Sequence, residues 1–352
     1  MTKRILLTGA AGFVGSHVLR HILTTTDWDV VAPVSFKNKG LTDRLVTAMD
    51  GLDQSRVTIV QTEITAPISK VTASKFGEIN YILSVASESN VDKSIEEPAE
   101  FIQNNVKMMT SLLDYARTLP DLEVFLHVGT DEVYGPAARN KAHREWIDVF
   151  KPSNPYSASK AAQEAIVFSY WRTYDLPIIT TNTLNIIGET QSVDKMFMKT
   201  LKCVEDGSTM TIHASPSGEI GSRFYIHARN QADALVYLIK RHADFKEKTY
   251  TEAGEWESLR YSQGGTVHPK FNVVGEVEIN NLELAKMIAS AAGKPLNYEL
   301  VDFHSSRPGH DLRYALDGWK LKDLGWKAPV PFENTVQSIV DWTLKHPEWL
   351  LE

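Results

Sequence analysis

Two groups of side chains that could transfer protons lie between Val124 and Lys160. Thr130, Asp131 and Glu132 directly follow an apolar run that is typical of a buried strand. In an open parallel α/β sheet, ligands bind outside the carboxyl ends of the strands, so these side chains are suited to contact a substrate. Two adjacent carboxyl groups can also hold different pKa values, which lets one act as an acid and the other as a base.

The second group is Tyr156 and Lys160. On a helix, residues four apart share a face, so the two side chains should lie side by side. A lysine ammonium group next to a phenol favours the phenolate and lowers the pKa of the phenol. The pattern therefore predicts that Tyr156 is a base near neutral pH. The alternative is a charged turn and an unrelated tyrosine and lysine on a helix surface.

The N-terminal segment predicts a dinucleotide site. A short apolar strand at 5–7 is followed by Gly9, Gly12 and Gly15, and the segment at 16–23 continues as a helix. Glycines between a strand and a helix permit a tight turn and allow backbone N–H groups to approach a pyrophosphate. Phe13 and Val14 belong to the same loop.

The second predicted strand, 29–35, ends without an acid at Val34 or Ser35, and Lys37 and Lys39 follow. An acid at this point binds the ribose 2′-hydroxyl of NAD, and its absence removes the repulsion of a 2′-phosphate. The sequence therefore leaves NAD and NADP open.

The motif TDEVYG ahead of YSASK resembles the nucleotide-sugar 4,6-dehydratases of the TDP-glucose type, within the extended short-chain dehydrogenase/reductase superfamily. A second segment, RPGHDLRYALD, is also similar, and the resemblance spans about residues 3–345 except for an apparent insertion at 256–270, predicted to be a surface loop. It implies an α/β fold: a Rossmann-type doubly wound parallel sheet with a smaller α/β substrate domain. The expected division is 1–187 plus 224–245 for the dinucleotide-binding domain and 188–223 plus 246–352 for the nucleotide-sugar-binding domain.

The resemblance also implies the site residues. The cofactor would be bound by Gly9, Gly12, Phe13, Val14, Gly15, Ser35, Lys37, Glu63, Ile64, Ala86, Ser87, Tyr156 and Lys160. The nucleotide sugar would be bound by Glu88, Ser89, Asn90, Asn185, Lys195, Arg223, Asn272, Arg307 and His310. Asn182 is a further candidate polar contact. Thr130, Asp131, Glu132, Tyr156 and Lys160 would be catalytic.

The implied reaction begins when Tyr156 takes the proton of the sugar C4 hydroxyl while hydride passes from C4 to the nicotinamide. Thr130 hydrogen-bonds that oxygen. Glu132 removes the C5 proton, Asp131 protonates the departing C6 hydroxyl, and hydride returns to C6. The product would be a nucleotide-linked 4-keto-6-deoxyhexose, with the cofactor recycled. The alternatives are a nucleotide-sugar C4 epimerase or decarboxylase and, more remotely, a non-catalytic NAD(P)-binding protein.

Composition narrows the class of protein. The 352 residues carry a formal net charge of −7, which argues against a nucleic-acid partner. No apolar run approaches the roughly 18 residues of a membrane span, and the histidines show no metal-ligand spacing. The sequence predicts a cytoplasmic protein without a metal. The resemblance implies a homodimer through the predicted helix at 98–119 and the helix that carries Tyr156.

Overall fold

A parallel sheet places the candidate catalytic residues. The computed structural model describes residues 2–36, 40–145, 147–245, 268–302 and 312–351. The strands are β1 (Arg4–Thr8), β2 (Asp29–Val34), β3 (Val57–Gln61), β4 (Tyr81–Ser84), β5 (Val124–Val128), β6 (Ile178–Thr183), β7 (Asn185–Ile187), β8 (Met210–Ala214), β9 (Ser222–His227), β10 (Lys270–Val273), β11 (Glu278–Asn280) and β12 (Tyr298–Asp302). The helices are α1 (Phe13–Thr25), α2 (Thr42–Met49), α3 (Lys70–Phe76), α4 (Val91–Glu96), α5 (Pro98–Ala116), α6 (Pro155–Tyr174), α7 (Met196–Asp206), α8 (Ala228–Lys240), α9 (Asn281–Ala291), α10 (Trp319–Asp323) and α11 (Phe332–Lys345).

Seven of these strands form one sheet, in the order β10-β6-β5-β4-β1-β2-β3, and every pairing in it is parallel. All five residues of β5 and all four of β4 are buried, as expected for a parallel sheet covered on both faces. Leu7, Val18 and Leu235 belong to the core on the side of α1 and α8. Phe125 and Leu112 belong to the core on the side of α5 and α6. The doubly wound α/β fold expected from the sequence is confirmed.

A smaller unit covers the carboxyl edge of the sheet. β7 pairs with β9 and β9 with β11, while β8 pairs with β12. α7, α9 and α11 enclose a separate core that includes Phe197, Leu284 and Ile339. The two units are joined by several chain crossings, so each is discontinuous in sequence.

The division predicted from the sequence is wrong at three places. β7 lies inside 1–187 but pairs with β9 in the smaller unit. β10 lies inside 246–352 but adds the edge strand to the large sheet beside β6, because Phe271 and Val273 complete the apolar core on the side of α1. α10 follows it, since Leu321 packs into the same core.

The prediction of a surface loop at 256–270 is wrong for its last residues, 268–270. Residues 256–267 lie outside the described residues. His268 and Lys270 are buried, and His268 Nε2 lies 2.9 Å from Thr180 Oγ1. These residues therefore belong to the packed interior instead of a surface loop. Across the described ranges, no helix is long and apolar enough to cross a membrane.

Candidate active site

The candidate catalytic loop, residues 129–134, leaves the end of β5 through Gly129. Thr130 caps a short 3-10 turn, Asp131–Tyr134, by accepting a hydrogen bond from the Glu132 amide at 3.4 Å. The Thr130 hydroxyl donates to Asp131 Oδ1 at 3.0 Å. A Cβ atom at Gly129 would lie 2.7 Å from Asn182 Nδ2 and from Glu164 Oε1. Only glycine fits at this position, because the backbone of the loop is in close contact with the side chains of Asn182 and Glu164.

Asp131 is the carboxyl group suited to act as an acid. Its side chain is 4% exposed. Burial, and then the neighbouring Glu132 carboxylate, raise the pKa of Asp131 from 3.8 to about 7. Hydrogen bonding from Thr130 and the charge of Arg223 oppose this rise. A substantial fraction of Asp131 therefore carries a proton near neutral pH.

Glu132 is tied to the start of the helix that carries Tyr156. Asn154 caps α6 by accepting a hydrogen bond from the Ser157 amide at 2.9 Å, and the Ser157 hydroxyl completes a capping box. The Asn154 amide nitrogen donates to Glu132 Oε2 at 3.3 Å. One asparagine thus begins the helix and holds the second carboxyl group beside it.

Tyr156 and Lys160 lie on one face of α6, as predicted. The pKa of Tyr156, however, is raised, first by burial and then by the charge of Glu132. The predicted lowering is therefore wrong for the protein alone. Lys160 is buried, donates from Nζ to the Val128 carbonyl at 2.9 Å, and has its pKa lowered to about 8 by burial. A positive charge beside the phenol, such as that of an oxidised nicotinamide, would counter the effect of the two carboxylates.

The glycine loop after β1 fits a dinucleotide. Gly9 has φ +76°, and a Cβ atom on it would lie 2.9 Å from the Ala86 nitrogen. Gly12 precedes α1 and supplies no side-chain cap, so the first amides of this 13-residue helix can bind a phosphate. Gly15 allows the helix to approach the loop, since a Cβ atom there would overlap the Gly9 carbonyl.

Gly15→Ala should destabilise the nucleotide-binding loop. The added methyl group meets the fixed backbone of Gly9, and such overpacking costs roughly 1–3 kcal/mol. We expect a lower Tm by calorimetry and less dinucleotide released when the purified protein is denatured. The matched control is Gly12→Ala. A Cβ atom at Gly12 would lie 3.1 Å from the Gly9 carbonyl oxygen, which a Cβ atom at Gly15 would overlap, so Tm should fall less in this variant. Equal losses of Tm in the two variants would contradict this account of the loop.

The other predicted cofactor residues lie at the same edge of the sheet. Ser35 follows β2, while Glu63 and the buried Ile64 follow β3. Ala86 and Ser87 follow β4, and the Ala86 amide donates to Thr8 Oγ1 at 3.1 Å. Because the strands of this sheet are all parallel, these residues follow strand ends at one edge of the sheet. Lys37 lies outside the described residues.

The segment 88–90 lies between the cofactor loop and α6. Asn105, fully buried on α5, accepts a hydrogen bond from the Glu88 amide at 2.9 Å and donates to its carbonyl at 3.1 Å. It also donates to Ser159 Oγ at 2.8 Å, which joins this segment to α6. Ser89 is exposed, and Asn90 caps α4 by accepting from the Lys93 amide at 3.1 Å. The side-chain oxygen of Asn90 is thus engaged in the cap.

The predicted phosphate-binding residues belong to the smaller unit. Arg223 lies in β9, stacks 4.6 Å from the Tyr314 ring centre and donates to the Leu312 carbonyl at 2.7 Å. Its charge reaches the catalytic loop, since it lowers the pKa of Asp131. Lys195 precedes α7 and is half-buried, and Asn185 is exposed at the start of β7. Arg307 and His310 lie outside the described residues.

Two predicted asparagine contacts are wrong. Asn272 is fully buried, and its amide nitrogen donates to the carbonyls of His143 at 3.1 Å and Asp317 at 3.0 Å. Asn182 is also fully buried, and it donates to the Thr130 carbonyl at 3.0 Å. Both asparagines support the backbone of the site and do not reach its surface.

Three polar residues that the sequence did not single out hold the site together with Asn182: Asn105, Asn154 and Glu164. Only Asn154 carried a local signal, since asparagine before proline is a common start of a helix. Asn105 and Glu164 lie inside helical segments, where polar residues usually face solvent. Among the described residues, no group of three or more His, Cys, Asp or Glu side chains is placed to bind a metal.

Comparisons with known proteins agree with this geometry. Residues 5–252 match the profile of the NAD dependent epimerase/dehydratase family. The chain is 31% identical over 367 residues to a dTDP-glucose 4,6-dehydratase of Neisseria meningitidis, covering 99% of this chain and 95% of that one. It is 30% identical over 344 residues to the low-salt glycan biosynthesis protein Agl12 of Haloferax volcanii, covering 98% and 99%. The crystal structure of DesIV, a dTDP-glucose 4,6-dehydratase of Streptomyces venezuelae with NAD bound, superposes with a TM-score of 0.82 at 27% identity over 98% of each chain.

Proposed function

Because the chain belongs to the NAD-dependent epimerase/dehydratase family, we propose that it is an NDP-hexose 4,6-dehydratase, a lyase of carbohydrate biosynthesis. It would convert a TDP- or UDP-glucose-type sugar nucleotide to the NDP-4-keto-6-deoxyhexose. The observation that carries this proposal is the pair Asp131 and Glu132 beside Tyr156 and Lys160. Oxidation at C4 alone needs a single base, whereas loss of water from C5 and C6 needs a second base and an acid.

Each side chain has a role that its surroundings support. Tyr156 takes the proton from the C4 hydroxyl, and the ammonium group of Lys160, one helical turn away, favours the phenolate. Glu132, held by Asn154, removes the C5 proton, and Asp131, with its raised pKa, protonates the departing C6 hydroxyl. NAD, held by the loop that begins with Gly9, would supply the acceptor for the hydride from C4 and the donor of hydride to C6. Positioned acid and base groups of this kind contribute on the order of 10²–10⁴-fold each.

The protons must balance over one turnover. Tyr156 gains the proton of the C4 hydroxyl, and Asp131 loses a proton to the departing water. Glu132 takes a proton from C5 and returns one to C5 at the end. A proton must therefore pass from Tyr156 to Asp131 before the next cycle. The Thr130 hydroxyl, which donates to Asp131 Oδ1 at 3.0 Å and hydrogen-bonds the Tyr156 side chain, supplies a direct path.

The cofactor we propose is NAD. The family profile is that of NAD-dependent proteins, and the similar dehydratase of Streptomyces venezuelae was crystallised with NAD. The loop that begins with Gly9 fits the pyrophosphate, as described above. A homodimer through α5 and α6, and a cytoplasmic location, stay predictions.

The test is turnover of a panel of sugar nucleotides with no cofactor added, read by mass spectrometry. The panel is UDP-glucose, TDP-glucose, GDP-mannose and UDP-N-acetylglucosamine. We expect one of the glucose nucleotides to lose one water, which would also show that the cofactor is recycled. An unchanged mass with a shifted retention time of the sugar would instead identify an epimerase. No change with any of the four, even after NAD and NADP are added, would contradict the proposed function.

A further inference from the structure

A buried ion pair lies directly behind the catalytic loop. Lys270, at the start of β10, donates from Nζ to Glu164 Oε2 at 2.7 Å, and the two side chains are 1% and 3% exposed. Lys270 Nζ also lies 5.0 Å from the ring centre of Tyr134 and 4.8 Å from that of Phe150. Taking two charges out of water is costly, and a pair of well-packed apolar residues is often as stable. Fold stability alone therefore does not explain the pair.

The pair is connected to Thr130 by two hydrogen bonds. Asn182 Nδ2 donates to Glu164 Oε1, whereas Lys270 donates to Oε2 of the same carboxylate. The same nitrogen donates to the Thr130 carbonyl at 3.0 Å. Gly129 packs against both Asn182 Nδ2 and Glu164 Oε1. A displacement of the Glu164 carboxylate would thus move the residue that donates to Asp131.

The pair is also connected to Lys160. Glu164 lies one helical turn beyond Lys160 on α6, and its charge raises the pKa of Lys160 against the lowering by burial. Among the described residues, the titratable neighbours of Lys160 include Tyr156 on the same helix and His127 on β5, and the carboxyl groups of Asp131 and Glu132 follow β5. His127 is buried and neutral, since burial and the charges of Lys160 and Lys270 lower its pKa. Glu164 is therefore the anion on α6 that supports the ammonium form.

We propose that Lys270 and Glu164 are positioning residues of the dehydratase reaction, whose buried ion pair holds Thr130 through Asn182. This inference rests on the proposed function. Lys270 fixes the direction of the Glu164 carboxylate through the bond from Nζ to Oε2. Neither residue touches the substrate. Their effect is on the alignment of Thr130 and Asp131 with Tyr156.

The test uses the double variant Lys270→Met/Glu164→Gln. Lys270→Met alone leaves an unpaired buried carboxylate and should lower Tm strongly, because removing one partner of a buried ion pair is strongly destabilising. The double variant removes both charges and keeps an amide oxygen that can accept from Asn182, so Tm should return close to that of the wild type. The matched control is Lys294→Met/Glu205→Gln, which removes an exposed pair of the smaller unit.

Three readouts separate positioning from packing. In the double variant, whose Tm should be close to that of the wild type, kcat should fall roughly 10–100-fold while KM changes little. A small misplacement of a catalytic group can lower the rate by about 10²-fold. The alkaline limb of C4 oxidation, followed as reduced nicotinamide in a single turnover, should move to lower pH, because the neutral amide no longer raises the pKa of Lys160. Amide hydrogen exchange at 129–134 should become faster. The control variant should keep the wild-type kcat, pH profile and exchange.

A double variant with native kcat and native pH profile would overturn the inference and leave the pair a packing feature. If the wild type removes no water from any sugar nucleotide, the proposed function fails. In that case hydrogen exchange still decides the positioning role: faster exchange at 129–134 in the double variant supports it, and unchanged exchange overturns it.

Discussion

Glu132→Gln should abolish the loss of a C5 deuterium label from the sugar nucleotide to solvent. The amide side chain keeps the size of glutamate and an oxygen that can accept from Asn154, but it cannot take a proton. Overall turnover should fall by about 10²–10⁴-fold, the usual contribution of a positioned base. Oxidation at C4, followed as the absorbance of reduced nicotinamide in a single turnover, should persist because Tyr156 is unchanged. The measurement is NMR of the labelled substrate during incubation.

The control for this experiment is Glu283→Gln, an exposed glutamate in the first turn of α9. This variant should lose the label at the wild-type rate. If the Glu132→Gln variant also loses the label at that rate, the assignment of the base is wrong, and another group, such as Asp131, must take the C5 proton.

Asp131→Asn should slow the loss of water by about 10²–10⁴-fold and leave C4 oxidation largely intact. Reduced nicotinamide should then accumulate in the variant during a single turnover. Equal damage to both steps would argue against a dedicated acid. The pH dependence gives a second readout. Asp131 must be protonated to act, so its raised pKa of about 7 predicts that water loss in the wild type slows as pH rises through about 7.

The raised pKa of Asp131 also predicts that the stability of the folded protein changes with pH. Burial raises the pKa of Asp131 above its unfolded value near 3.8, so the protonated form is favoured in the folded protein. This contribution to stability is fully present below about pH 4 and is lost as pH rises through about 7. In the Asp131→Asn variant that loss disappears, so Tm at pH 8 should be higher relative to the wild type than at pH 5. Parallel Tm profiles would show that Asp131 does not titrate with a raised pKa.

Much of the fold could be predicted because it depends on local patterns in the sequence. The apolar runs of β1, β4 and β5, and the glycines of the loop from Gly9 to Gly15, identified a parallel sheet and its dinucleotide loop. Strand order in such folds places the ends of β1, β4 and β5 at one edge, so Thr130, Asp131 and Glu132 could be assigned to a site before any coordinates. The start of α6 could be predicted from Asn154 and Pro155, and its face from the spacing of Tyr156 and Lys160.

Other features depend on what surrounds each side chain. Asn182 and Asn272 look like ligand contacts in the sequence, but both are fully buried, one in β6 and the other in the edge strand β10, and both donate from their amides to backbone carbonyls. The pKa of Tyr156 was predicted from one neighbour, Lys160, and it is decided by burial and by two carboxylates from another element. The edge strand β10 could not be assigned to the large sheet from its sequence, because it follows a long segment with no periodicity.

By itself, the sequence determined the parallel α/β sheet, the glycine loop and the catalytic residue types, since each depends on neighbours within a few positions along the chain. Only the tertiary structure decided that β10 joins the large sheet, that Lys270 pairs with Glu164, and that Asp131 is buried with a raised pKa. These outcomes depend on desolvation and on contacts between residues far apart in sequence. Such contacts form only when strands and helices from distant segments pack together, so they cannot be predicted from any local pattern in the sequence.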